Sequence, residues 1–201
     1  MPVGITLRQF EQMKDRVARP TSVPPLAVTR AGTIIGQIVL GIDPSLRGTG
    51  FGIIQVAKPI PETLVHGTIA CPATWVRSRC LAKIFQTVRD AVRRHQPTVC
   101  VVEGLFYAQN MKTALIMGEA RGAAMAAVAE AGIEIYEIAP RKVKQAVVGY
   151  GGAQKSAVAK MVQRMLNLSD PPAPDAADAL ALALAHAQQN GRYSVSTPKR
   201  I

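Results

Sequence analysis

The apolar positions of this chain fall into runs with two different rhythms, and the switch between them lays out its elements. Ile38–Ile42 is a short, nearly unbroken apolar run, which reads as a strand buried on both faces. Phe51–Val56 follows closely and predicts a second strand folded back on it, with Gly48, Gly50 and Gly52 expected to make the turn between them tight. Leu64–Cys71 reads as a third strand. Thr74–His95 then changes to a helical period: Leu81, Ile84, Val88 and Val92 form one stripe, with Arg77, Arg79, Lys83, Arg89, Arg93 and Arg94 around it. Thr98–Val102 is a β-branched run, Lys112–Ala131 a helix rich in Gly and Ala, and Ile133–Ile138 a fifth strand. Pro140 opens a short helix, Gln154–Leu168 a longer one, and the prolines at 171, 172 and 174 precede an almost wholly apolar helix running to His186. Strands alternating with helices predict an α/β domain built on a mixed sheet.

Residues 1–35 stand apart. Leu7, Phe10, Met13 and Val17 could line one short helix over Thr6–Arg19, after which Pro20, Pro24 and Pro25 point to an extended linker. The expected organisation is an N-terminal extension over 1–35, one domain over 36–190 and a basic tail over 191–201.

Charge sharpens this picture. The 201 residues carry 24 Lys and Arg against 13 Asp and Glu, a net charge of +11, which points to a polyanionic partner. No apolar stretch approaches the roughly 18 residues of a membrane span, and no basic amphipathic helix with aromatic anchors is evident, so no membrane role is expected. Cys71, Cys80 and Cys100 are odd in number and lack paired metal spacing. They read as buried small residues in a reducing, cytoplasmic setting.

The acids carry the chemistry. Two of the 13, Glu11 and Asp15, precede residue 36, leaving eleven in the domain and tail. Of these, Asp43 and Glu103 each end a buried apolar strand, where a bare carboxylate is expensive unless a cation or donors meet it. If those strands are parallel neighbours, the two acids meet at the edge where open α/β sheets place ligands. Asp175 and Asp178 lie three residues apart, so both fall on one face of the last helix. An acid in a first helical turn is ordinary for Asp175, but two acids on a buried helix ask for a cation. Oxygen-only ligands favour Mg²⁺ or Mn²⁺ over zinc. Two such ions are suited to phosphodiester hydrolysis. Phe106 and Tyr107 sit directly beyond Glu103, suited equally to core packing or to stacking on bases. Lysines around Gly149–Gly152 suit phosphate contacts, although the nucleotide P-loop spacing is absent. His186 lies about 16 Å along the helix from Asp175, too far to share an ion with it, and is expected to be structural or to act behind the ligands.

Together, Ile-Asp-Pro-Ser-Leu-Arg-Gly-Thr-Gly-Phe-Gly (42–52), Val-Glu-Gly-Leu-Phe (102–106), Gly-Glu-Ala-Arg-Gly (118–122), Val-Lys-Gln-Ala-Val-Val-Gly (143–149) and Asp-Ala-Ala-Asp-Ala-Leu-Ala (175–181) closely resemble the RuvC Holliday junction resolvases, over residues 36–190 and in that family's order. The resemblance implies an RNase H-like fold with a five-stranded mixed sheet flanked by helices. It implies a homodimer that resolves four-way DNA junctions by paired nicks in opposing strands, in recombination and repair, with a branch-migration motor complex as partner. It also implies two Mg²⁺ per site, replaceable by Mn²⁺, held by Asp43, Glu103, Asp175 and Asp178. Phe106, Lys144 and Lys155 fall at the family's DNA-contact positions, and the helix around Gly118–Gly122 at its dimer interface. Ser45 departs from a common glycine and Gly104 from a common glutamine, and the N-terminal extension is atypical. Three other readings compete. One is a related RNase H-like nuclease acting on another DNA or RNA. Another is a non-catalytic junction-binding module. The third is an actin-like ATPase, which would need two such domains.

Overall fold

The computed structural model describes residues 36–104, 111–189 and 199–201, all of which fall in the second of the two units into which the chain divides, Thr33–Ile201. Six strands form one sheet: β1 (Ile38–Asp43), β2 (Gly48–Gln55), β3 (Glu62–Ala70), β4 (Val99–Glu103), β5 (Glu134–Ile138) and β6 (Lys199–Arg200), in the spatial order β3-β2-β1-β4-β5-β6. β1, β2 and β3 form an antiparallel meander, whereas β1, β4 and β5 run parallel, so the sheet is mixed as expected. The sixth strand goes beyond the expected five. Two residues of the basic tail pair antiparallel with Tyr136 and Glu137, and the Arg200 guanidinium meets Glu134 at 2.9 Å.

Five helices are described: α1 (Arg77–His95), α2 (Met111–Ala129), α3 (Pro140–Val148), α4 (Lys155–Met165) and α5 (Pro174–Gln189). Strand alternation assigns them to two faces. Leu40 and Ile42 of β1, with Cys100 and Val102 of β4, bury against α1 and α2. Val39, Val99 and Val101 bury on the opposite face against α3, α4 and α5. The helix α5 is sandwiched between the sheet and the two shorter helices, which explains why the whole run Ala176–Ala185 apart from Asp178 is closed to solvent. Cys71, Cys80 and Cys100 are free and buried, as their isolated spacing implied.

One part of the local reading is overturned. Gly50 and Gly52 do not form a turn; they lie inside β2, opposite Asp43 and Gly41. With Gly48 they occupy every position of that stretch of β2 facing α5, while Phe51 and Ile53 face the other core. Their purpose is close approach. A Cβ on Gly50 would lie 1.9 Å from the Asp175 carbonyl oxygen, one on Gly41 2.0 Å from that of Ala179, and one on Gly52 2.6 Å from the Leu180 side chain. The turn itself is closed by Thr49, fully buried on the other face. Its hydroxyl donates to the Ser45 carbonyl at 2.5 Å and accepts from the Ser45 N–H at 3.2 Å.

Candidate active site

The same alternation that fills the two cores aims the acids. Asp43 shares its parity with Val39 and Gly41, and Glu103 shares its parity with Val99 and Val101, so both carboxylates project toward α5. Parallel pairing puts Ile42 beside Val102, and the next residues in register are Asp43 and Glu103 themselves. Their carboxyl groups hydrogen bond to each other. Asp175 occupies the first turn of α5 against Gly48 and Gly50, and Asp178 lies one turn further on. Both are half-buried.

Electrostatics record how crowded this corner is. Burial, reinforced by repulsion from Glu103 and Asp178, pushes the Asp43 carboxyl up to about 8. Burial also raises Glu103; the hydrogen bond from Asp43 and the ammonium groups of Lys155 and Lys144 pull it back down, while Asp178 pushes it up. The pair thus favours keeping a proton between its two carboxyls, which a cation would compete with. Lys155, at the start of α4, donates to Asp178 Oδ2 at 2.7 Å, and that bond raises its pKa. Among the described residues no three His, Cys, Asp or Glu side chains are gathered closely enough to enclose an ion. An all-oxygen donor set with an unmet demand for positive charge nevertheless fits a hard divalent cation.

A pH dependence follows. Asp43 is protonated more readily in the fold than in the unfolded chain, so its contribution to stability is complete below the ordinary carboxylate pKa of 3.8 and is lost as pH rises toward about 8. In chelator, the melting temperature is expected to fall across that window. Saturating Mg²⁺, which binds the ionised acids, is expected to flatten the decline. Scanning calorimetry with and without the ion checks this; a decline of equal slope in both conditions would remove Asp43 from the ion site.

The structure thus pairs Asp43 with Glu103, sets Asp178 near enough to repel both, and places Asp175 beside Gly48; Lys155 sits on Asp178 and Lys144 acts on Glu103 through its charge. Phe106 lies in 105–110, outside the described residues. His186 is buried with its ring centroid 5.5 Å from that of Tyr136 on β5. Two positively charged residues had no role in the sequence reading. Arg47 donates to the carbonyls of Pro72 (2.5 Å) and Trp75 (3.1 Å), tying the loop after Asp43 to the approach to α1. Arg121, on the buried face of α2, donates to the Glu103 carbonyl and to Glu137 Oε2, the latter at 2.6 Å. A cation among the alanines and glycines of the middle of α2 was the available signal, because a charge on the buried face must find a partner inside.

Three comparisons bear on this geometry. A family model described as crossover junction endodeoxyribonuclease RuvC matches residues 39–186. Crossover junction endodeoxyribonuclease RuvC of Protochlamydia amoebophila is 47% identical over 152 residues, covering 75% of this chain and 90% of that protein. The protein of the same name from Rubrobacter xylanophilus is 40% identical over 167 residues, covering 83% and 93%. Among solved structures, T. thermophilus RuvC in complex with a Holliday junction substrate superposes with a TM-score of 0.75 at 32% identity, over 82% of this chain and 99% of that one.

Proposed function

The chain belongs to the RuvC family of crossover junction endodeoxyribonucleases, and on that premise we propose that it resolves four-way DNA junctions by paired nicks in opposing strands. The observation that carries the reading is the meeting of Asp43 and Glu103 at the ends of adjacent parallel strands, both facing α5. Asp43, Glu103, Asp175 and Asp178 are the ion ligands of this proposal. Two Mg²⁺ bound there supply activation of a water and stabilisation of the leaving oxygen. The protein's own side chains do the rest. The carboxylates fix the position of the charge at the sheet edge. Lys144 and Lys155 border the acids and hold the backbone phosphates. Phe106 engages bases beside the scissile strand. The net charge of +11 draws the DNA toward an acidic centre that would otherwise repel it.

Paired nicking needs two sites, and the outer face of α2 supports a homodimer. Met111 and Leu115 are 85% and 60% exposed, and Gly118 and Gly122 continue the same stripe with open space above them. Spacings of four, three and four residues keep these positions in line along the helix. Service to a branch-migration motor in the cytoplasm belongs to the same proposal; no described helix is long and apolar enough to cross a membrane.

The test is a nicking assay in Mg²⁺ on a four-way junction and on linear duplex of the same sequence, using a preparation whose mass is set by sedimentation. A dimer that cuts the junction symmetrically and spares the duplex is expected. Equal cutting of both substrates would point to a different nucleic acid as substrate. For the lysines, Lys155→Ala and Lys144→Ala are each expected to weaken junction binding and to shallow its log–log salt dependence by roughly one unit for each phosphate no longer neutralised. Unchanged affinity and slope in both would move the DNA path elsewhere.

A further inference from the structure

Arg121 is 8% exposed, in a helix whose other buried residues are Ala120, Ala124, Ala127 and Val128. Bringing a guanidinium into such surroundings is costly unless each of its donors is met. Here one arm meets the main-chain carbonyl of Glu103, the last residue of β4, and the other meets the carboxylate of Glu137 on β5 at 2.6 Å. Glu137 has the parity of Ile135, which faces α1 and α2. The Glu103 side chain has the opposite parity and faces α5. Arg121 and Glu137 therefore lie on the back of the sheet, directly behind the point where β4 delivers its carboxylate to the front.

Among the described residues, the end of β4 is held on the β5 side by its last ladder pairs. After Glu103 the ladder continues through one bond, from the Gly104 N–H to the Ile138 carbonyl at 2.9 Å. Any displacement of the β4 end carries the Glu103 Cα, and with it the side chain, along the same direction. A guanidinium on the Glu103 carbonyl opposes such a displacement, and Glu137, anchored in β5, holds the guanidinium in the orientation its planar fork requires.

We propose that Arg121, held by Glu137, is a positioning residue for the Glu103 carboxylate, setting its aim toward the metal site from the opposite face of the sheet. This rests on the assignment of Glu103 as an ion ligand. Its effect is on ion affinity, in the manner of groups that orient metal ligands from behind, whose loss typically costs about 10–100-fold.

The test measures Mn²⁺ binding to the DNA-free protein by titration calorimetry, well below the melting temperature of each variant, with junction affinity in EDTA measured alongside. Arg121→Met is expected to weaken Mn²⁺ binding by about tenfold or more and to leave junction affinity in EDTA unchanged. Arg121→Lys is expected to recover part of the loss, since it keeps a charged donor but not the fork. Glu137→Gln is expected to show a smaller loss in the same direction. Wild-type Mn²⁺ affinity in folded Arg121→Met overturns the proposal, as does equal weakening by methionine and lysine, which would mark a packing role. If Arg121→Met does not fold, Glu137→Gln decides: wild-type affinity there overturns the proposal equally. Asp43→Asn separates the premise from the inference. If that variant binds Mn²⁺ like wild type, the ion site itself is wrong; if it does not, while Arg121→Met does, only the positioning role fails.

Discussion

Asp43→Asn is expected to bind four-way junctions and to fail to nick them. The substitution keeps the size of the side chain and its capacity to accept a hydrogen bond, but removes the anion at the end of β1. Asp43 and Glu103 are already a strained pair, with Asp43 pushed to about 8 by burial and by its acidic neighbours. Because Asp43 favours its protonated form in the fold but is ionised in the unfolded chain, asparagine removes a proton uptake on folding and is expected to add some stability at neutral pH. What it removes is the demand for a cation. An ion at such a site supplies several kcal/mol of transition-state stabilisation, and each 1.36 kcal/mol is tenfold in rate, so nicking is expected to fall by at least about 1,000-fold. Binding in EDTA depends on the surrounding cations and is expected to persist or tighten as repulsion of phosphate falls. Glu103→Gln and Asp178→Asn are expected to behave alike. Gel-shift and nicking assays on the same folded preparations make the measurement. Near-normal nicking by Asp43→Asn would sink the site.

The second large effect is on the fold. Gly50→Ala adds one methyl group, and that methyl would lie 1.9 Å from a main-chain carbonyl of α5. A flexible side chain could swing aside; the backbone of a helix whose first turn packs directly on β2 cannot do so locally. Overpacking typically costs about 1–3 kcal/mol, and this case belongs at or above the upper end, about 3 kcal/mol or more. Because the obstructing carbonyl belongs to Asp175, whatever relaxation occurs also displaces a candidate ligand, so activity is expected to fall further than the folded fraction. Gly118→Ala is a contrast within the single chain, where any loss reports the proposed dimer contact rather than the fold. It has nothing within 4 Å above it and sits in a helix, where exchanging Gly for Ala gains about 1 kcal/mol. Denaturant unfolding of the two variants compares them directly; a Gly50→Ala midpoint equal to wild type would mean that α5 stands further from β2 than the structure places it.

The contrast between those two glycines shows what could be read in advance. Asp43 and Glu103 were legible because an apolar run that stops at an acid is a local pattern, and parallel pairing then needed only adjacent strands. Asp175 and Asp178 were legible because helical spacing alone puts them on one face. The glycines of β2 were seen but assigned to a turn. Their role depends on how near α5 comes, a distance between elements more than 100 residues apart that no window of sequence contains. The Arg121–Glu137 pair was missed for the same reason: its partners come from α2, β4 and β5, and only the folded sheet brings them together. Lys155 was expected to contact phosphate; its ion pair with Asp178 belongs to tertiary structure and was not legible in the sequence.

The sheet divides the molecule's duties. On one side lie α5, α3 and α4 with the acids and the two lysines; on the other lie α1 and α2, with the open stripe of Met111, Leu115, Gly118 and Gly122. The proposed ion site and the proposed dimer stripe thus lie on opposite faces of the sheet, and substitutions on the α2 stripe meet none of the side chains that line the acidic corner. If both proposals hold, the α2 stripe can change without disturbing the acids, and Arg121 marks the limit of that freedom, since it is where α2 reaches the strand that bears Glu103.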